Sequence, residues 1–144
     1  MGLFNLKPYK RLARHRKKRD ERRALAIYTN QIKGLCPRLA NSSRVSDVTY
    51  LEFRDRYVHR ATVMDLYTRD IVGESVSTTH TTALTTHALQ DALIARGLEK
   101  LKFLHSDQCS EYLAKDYIDS ATDRGITISM SKKASSKTPG LIWA

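Results

Sequence analysis

Cysteine is scarce in this chain of 144 residues: there are two, Cys36 and Cys109, and neither has a CxxC or Cys/His spacing around it. That excludes a disulfide framework and a zinc site of the kind a sequence can announce, and it fits a reduced, cytosolic protein. Long apolar runs are missing as well. None approaches the roughly 18 residues of a membrane span, and the N-terminus has no signal-peptide h-region, so the sequence predicts a soluble protein with no membrane partner. Acid is in short supply, with 15 Asp and Glu against 25 Lys and Arg, for a net charge of +10. The shortfall is local. Residues 1–23 hold ten Lys/Arg against Asp20 and Glu21, a net +8, while the remainder of the chain carries only +2. At 41% hydrophobic residues the chain can fill one core of ordinary size and not two, which predicts one domain and a basic arm.

The arm runs from Lys7 to Arg23. Lys7, Lys10, Arg11, Arg14, Arg16, Lys17, Lys18, Arg19, Arg22 and Arg23 surround only Tyr9, Leu12 and Ala13, so the segment cannot build a core of its own. A solvated tail is the plain reading. Clustered Lys/Arg also release counterions from nucleic acid, and these ten are the candidate nucleic-acid contacts. From Ala24 to Ser43 the period is broken by Gly34, Pro37 and Asn41-Ser42-Ser43, which reads as a linker without chemistry of its own.

Beyond the linker, runs rich in Val, Ile, Tyr, Thr and Leu at Val45–Phe53, Tyr57–Leu66 and Ile71–Val76 are separated by the charged turns Arg54-Asp55-Arg56 and Thr68-Arg69-Asp70. This predicts an antiparallel meander, with the middle strand covered on both faces because Ala61 to Met64 do not alternate. Thr78–Thr82 offers hydroxyl caps to a helix in which Leu84, Ala88, Leu89, Ala92, Leu93 and Ala95 recur until Gly97. A fourth strand follows at Leu101–His105, a second helix at Ser110–Arg124 with Leu113, Tyr117, Ile118 and Ala121 inward, and a fifth strand at Ile126–Met130. The predicted order is β1-β2-β3-α-β4-α-β5, an α/β mixed sheet with helices packed on it. Asp47 places a carboxylate inside an apolar first strand, and Asp107 puts another just after the fourth. Taken alone, an Asp in a strand is usually an edge or surface residue. His80 and His87 have no ligand partners at metal spacing and receive no role.

The strings Ser46-Asp47-Val48-Thr49-Tyr50-Leu51, Val63 to Gly73, His105-Ser106-Asp107-Gln108 and Gly125 to Ser131 resemble, in order and spacing, the integrase core of bacterial insertion-sequence transposases. The upstream Tyr28-Thr29-Asn30-Gln31 and Gly34-Leu35-Cys36-Pro37 resemble the segment joining such a core to a helical DNA-binding region. The resemblance implies a ribonuclease-H-like fold and a DDE site, in which two aspartates and a glutamate hold a pair of Mg²⁺ ions, with Mn²⁺ able to stand in. Hard, hydrated cations take oxygen ligands, and two of them flank a scissile phosphate. Asp47 and Asp107 match the two aspartates, as catalytic residues and metal ligands. Asp65 belongs to the strand–turn scaffold, and His105 and Gln108 at most support Asp107.

Departures from the family's pattern matter equally. Arg44 stands where the family usually has Trp, and Cys109 where it has Gly, which implies local strain beside the site. The position of the glutamate falls near Trp143, within Lys137–Ala144, a stretch that breaks step with the family as a frameshift would. Glu111, directly after Asp107, is not a substitute. The resemblance thus implies residues 1–43 as arm and linker, 44–136 as an incomplete catalytic core without its C-terminal helices, and 137–144 as an aberrant tail. Loss of the helix after the fifth strand should bare apolar residues of β2 and β4. The implied protein is a truncated transposase of the bacterial cytosol and nucleoid, acting on insertion-sequence DNA ends, inactive for want of a third carboxylate and binding Mg²⁺ weakly. Two alternatives stay open: a non-catalytic DNA- or RNA-binding module using the arm, and a fragment that associates with full-length transposase and inhibits it.

Overall fold

A computed structural model describes residues 28–131. The basic arm, the tail at 137–144 and Trp143 lie outside the described residues. Five strands, β1 (Ser43–Phe53), β2 (Arg56–Asp65), β3 (Ile71–Ser77), β4 (Phe103–Ser106) and β5 (Thr127–Met130), form one sheet in the order β3-β2-β1-β4-β5. The first three make the predicted antiparallel meander, and β4 and β5 join it parallel to β1. Helices α1 (Thr82–Arg96) and α2 (Lys115–Thr122) make the connections. A parallel β4 needs a crossover, and the crossover carries α1 across the sheet so that β4 lands on the far side of β1. That placement sets the end of β4 against the middle of β1.

Both helices pack on one face. Leu84, Ala88 and Ala92 of α1 bury against Ala61, Val63 and Val72, while Tyr117 and Ala121 of α2 join Leu89, Leu104, Ile128 and Met130, and Val48 touches both groups. The contact between α1 and β3 is close because Gly73 has no side chain. A Cβ there would stand 2.4 Å from the Ala88 carbonyl oxygen and 2.6 Å from the Ala92 Cβ. At the other end of α1, Gly97 takes φ +68°, donates its N–H to the Leu93 carbonyl, and closes the helix as predicted.

Several expectations need correction. The second helix begins at Lys115, not Ser110. Residues 109–114 instead form turns in which the N–H groups of Tyr112 and Leu113 bond the Cys109 carbonyl, because Tyr112 is drawn inward to reach Ser46. No hydroxyl of Thr78–Thr82 caps α1; Thr81 occupies the N-cap without a side-chain bond. In α1, Ala95 is exposed and Thr85 takes a buried place. The middle strand is not covered on both faces: Ala61 and Val63 are fully buried beneath α1, whereas Thr62 and Met64 are half-buried. Nor are the inward apolar residues of β2 and β4 bared: Ala61, Val63 and Leu104 are at most 1% exposed, and of β2 only Tyr57, at its hairpin end, is a large exposed apolar residue. Four exposed large apolar residues, Tyr50, Leu51, Phe53 and Tyr57, lie together on the β1–β2 hairpin.

The linker is not without chemistry. The Gln31 N–H donates to Ser129 Oγ (2.8 Å), the Asn41 N–H to Asp65 Oδ2, and the Lys102 N–H to the Ser42 carbonyl. These bonds dock residues 31–42 against the sheet, where length and composition alone predicted only a spacer.

Candidate active site

The site is built by alternation along β1. Arg44, Ser46 and Val48 point at the helices: Arg44 bonds α1, Ser46 Oγ lies 3.1 Å from the Tyr112 hydroxyl, and Val48 packs into the core. Side chains of a strand alternate, so Val45, Asp47 and Thr49 occupy the opposite, helix-free face. The parallel register sets Val45 opposite His105. Two residues further along each chain stand Asp47 and Asp107. Their charges interact: burial pushes the Asp47 carboxyl up from its ordinary value, and the Asp107 charge pushes it further. A sequence places these residues sixty apart; only the crossover brings them side by side.

Asp107 is held from within its own loop. Its Oδ1 accepts the Cys109 N–H (3.0 Å) and its Oδ2 the Cys109 thiol (2.9 Å). The strain expected of a side chain at position 109 is not found, because Cys109 is not among the residues with positive φ. Below Asp107, a row crosses the helix-free face from Met64 through Val45 and His105 to Ser129. Ser129 Oγ accepts the Gln31 N–H and lies 2.9 Å from His105 Nδ1, so its own proton is available to a neutral imidazole. Burial lowers the His105 pKa, with Asp107 opposing, which agrees with that assignment. His105 floors a cleft of about 490 Å³ between the linker and the β2–β3 turn, with Lys33 and Arg69 on its walls.

Other sequence-predicted residues fall as follows. Asp65 is 1% exposed, and its Oδ1 accepts the N–H groups of Tyr67 (2.8 Å) and Thr68 (2.9 Å), the scaffold role expected of it. Gln108 is buried with its Nε2 unpartnered among the described residues, so it supports no ligand oxygen there. Glu111 turns to His80 Nδ1 (3.5 Å) and accepts the Ser110 hydroxyl. His80, given no role, stacks on His59 at 5.0 Å with Tyr50 edge-on to both. The two groups that sequence reasoning missed are Cys109, flagged only as a departure, and the Ser46–Tyr112 pair. Burial drives the Tyr112 phenol well above its ordinary pKa, so it stays protonated behind the site. Among the described residues no group of three or more His, Cys, Asp and Glu is gathered to hold a metal, and no helix is long and apolar enough to cross a membrane.

Comparison with known proteins agrees with this architecture. The family model described as the integrase core domain matches residues 37–136, beginning a little ahead of the boundary expected at residue 44. The transposase InsF for insertion sequence IS3A of Escherichia coli (strain K12) is 32% identical over 93 residues, which is 65% of this chain and 32% of that protein. The insertion element IS600 31 kDa protein of Shigella sonnei is 33% identical over 97 residues, 67% of this chain and 36% of its own length. The chain therefore spans about a third of the length of the curated relatives it matches. Among solved structures, the HTLV-2 integrase catalytic core domain in complex with magnesium superposes with a TM-score of 0.60 at 19% identity, covering 67% of this chain and 63% of that one. A chain of the simian T-cell lymphotropic virus intasome in complex with PP2A regulatory subunit B56 gamma gives 0.59 at 13%, over 69% and 34%. The fold is thus ribonuclease-H-like, as expected, and the chain belongs to the integrase core domain family, with its sequence relatives among the transposases of bacterial insertion sequences.

Proposed function

We propose that this chain is the aspartate-bearing part of a DNA-integrating core, which binds DNA and one hydrated divalent cation but does not by itself cut or join strands. The observation that supports the reading is the β1–β4 register, which sets Val45 opposite His105, two residues before Asp47 and Asp107 on the face that no helix covers. Two carboxylates whose charges oppose each other, one of them raised by burial, are stabilised together by a cation between them. Both offer hard oxygen donors, which suit Mg²⁺ or Mn²⁺ and not a soft metal. Bound there, such an ion supplies charge stabilisation at a phosphate and acidifies an attacking hydroxyl.

The chain's own residues supply position. Cys109 fixes the Asp107 carboxylate through both oxygens, and the Ser46–Tyr112 bond braces β1 from behind. The third carboxylate is what this reading lacks. Among the described residues none joins the two aspartates: Glu111 is engaged with His80, and Glu74, on the same face, with Arg60. Charge of −2 leaves a divalent ion largely hydrated and does not fix a second one. Residues 1–43 would serve as arm and linker, 44–136 as the core, and 137–144 as a tail without a ligand. Insertion-sequence DNA is the partner that the InsF relative suggests, and the ten cations from Lys7 to Arg23 are its phosphate contacts.

The test is purified chain with labelled duplex and Mg²⁺ or Mn²⁺. Binding should fall steeply with salt, by roughly 0.9 in log K per decade of salt for each phosphate contacted. It should persist in Asp107→Asn, collapse when residues 7–23 are deleted, and yield no nicks. Asp107-dependent nicking or strand transfer would contradict the inactive reading. Binding indifferent to salt and to the arm would contradict the DNA reading.

A further inference from the structure

On the helix-free face, one buried side chain has a donor to spare. His105 is 7% exposed, and its Nδ1 lies 2.9 Å from Ser129 Oγ, which already accepts the Gln31 N–H (2.8 Å). The hydroxyl proton of Ser129 therefore goes to Nδ1, and the ring proton sits on Nε2, without a partner among the described residues. Nor is Nε2 sealed in the core, so it opens on the cleft of about 490 Å³ that His105 floors. The walls add cations and no acid. Lys33 comes from the linker and Arg69 from the β2–β3 turn, both exposed and neither in an ion pair among the described residues. The acids of the turn are occupied: Asp65 accepts the N–H groups of Asn41, Tyr67 and Thr68, and Asp70 pairs with Arg96 (3.2 Å). On the linker side, residues 28–42 carry Lys33 and Arg38 and no acid at all.

From this lining we infer that the cleft is a phosphate site, which seats a backbone phosphate of the DNA strand lying at Asp47 and Asp107; the DNA source of that phosphate rests on the function proposed above. His105 Nε2, Lys33 and Arg69 all donate and none accepts, which is the chemistry of a phosphate oxygen's partners, and two of the three are charged. A bare ion does not need such a volume. About 490 Å³ lies in the range of sites for organic ligands, and Ile32, Leu35, Leu66 and Tyr67 leave the rest of the wall apolar enough for a sugar and a base. That favours a nucleotide of a strand over free phosphate. His105 precedes Asp107 by two residues, roughly 7 Å at strand rise, so the cleft adjoins the aspartates. The acid whose charge reaches His105 is Asp107. It opposes an anion in the cleft for as long as no cation neutralises it.

The experiment is nuclear magnetic resonance of the isotope-labelled full 144-residue chain, without divalent cation, titrated with inorganic phosphate and, separately, with a short single-stranded DNA that has no terminal phosphate. Both probes should shift the amides of Lys33, Gly34 and Arg69 and the His105 ring signals to saturation, the DNA at lower concentration. Lys33→Ala/Arg69→Ala should weaken both, read at the His105 ring, by about tenfold or more. It should also flatten the slope of log K against log salt for the DNA by about 1–2. Asp107→Asn should tighten phosphate. Circular dichroism controls for folding, and both cations are exposed. Wild type that binds the DNA with no shift in the cleft would overturn the cleft site alone. So would cleft shifts that the double variant leaves unchanged in affinity. Cleft shifts with phosphate but none with the DNA would overturn the DNA source and make free phosphate the occupant. Failure of wild type to bind phosphate, the single strand or a duplex would overturn the site together with the DNA reading.

Discussion

Asp47 carries a cost that its neighbours offset only in part, through a hydrogen bond from the Val48 backbone. Its carboxyl is pushed up from 3.8 first by burial and then by Asp107, so the folded chain holds that proton more tightly than the unfolded one. Between the two values the native state binds more protons, and stability therefore falls as pH rises through the raised folded value. Asp47→Asn should remove that loss. Without divalent cation, its melting temperature at neutral pH should exceed that of wild type, and the two should converge toward pH 4; a variant that melts lower at pH 7 would contradict the account. Arg44 is the opposite case. It is fully buried, and its guanidinium donates to the Ala92 carbonyl (3.1 Å) and the Gly97 carbonyl (3.0 Å), serving the end of α1 from a strand. Burial lowers its pKa, with Asp65, its cross-strand partner, opposing. Arg44→Ala should cost about 2–4 kcal/mol in urea unfolding, because it opens a cavity and leaves two helix carbonyls without their donor. The sequence flagged Arg44 only as a departure from Trp. Its use is set by contacts about fifty residues away, which local pattern does not encode.

At the scale of elements, the succession of strands and helices along the chain was legible because period and turn chemistry are local: the Arg54-Asp55 turn and Gly97 ended their elements where the sequence placed them. The start of α2 was not. Leu113 and Tyr117 share helical spacing, but the Ser46–Tyr112 bond and the Cys109 turn hold 109–114 out of the helix. The docking of the linker was hidden for a like reason, since the Gln31 to Ser129 bond spans 98 residues. Packing of α1 on β3 makes a direct prediction. Gly73→Ala would drive a Cβ into the backbone of α1, so it should lower stability by about 1–3 kcal/mol or more, read as a lower urea midpoint at unchanged slope. Gly34 has open space around its Cβ position but φ +80°, so alanine there should cost less and only through backbone strain.

For the whole molecule, Asp47 and Asp107 were each legible as odd carboxylates in apolar surroundings, and resemblance gave them a shared purpose. What brings them near is topology: β4 sits beside β1 because the chain crosses over through α1, and the register that sets Val45 opposite His105 leaves each acid two residues further on. Among the described residues the resulting face lacks a helix and gathers no third acid beside the pair, since Glu74, on the same face, is paired with Arg60. Such a half-site should take one ion, weakly, with most of its water retained. The most direct measurement is a Mn²⁺ titration of the chain, followed by paramagnetic resonance of free ion. The account predicts one weak site, abolished in Asp47→Asn and in Asp107→Asn alike and unchanged in Glu111→Gln. Two tight sites, or a site that survives either aspartate substitution, would contradict it.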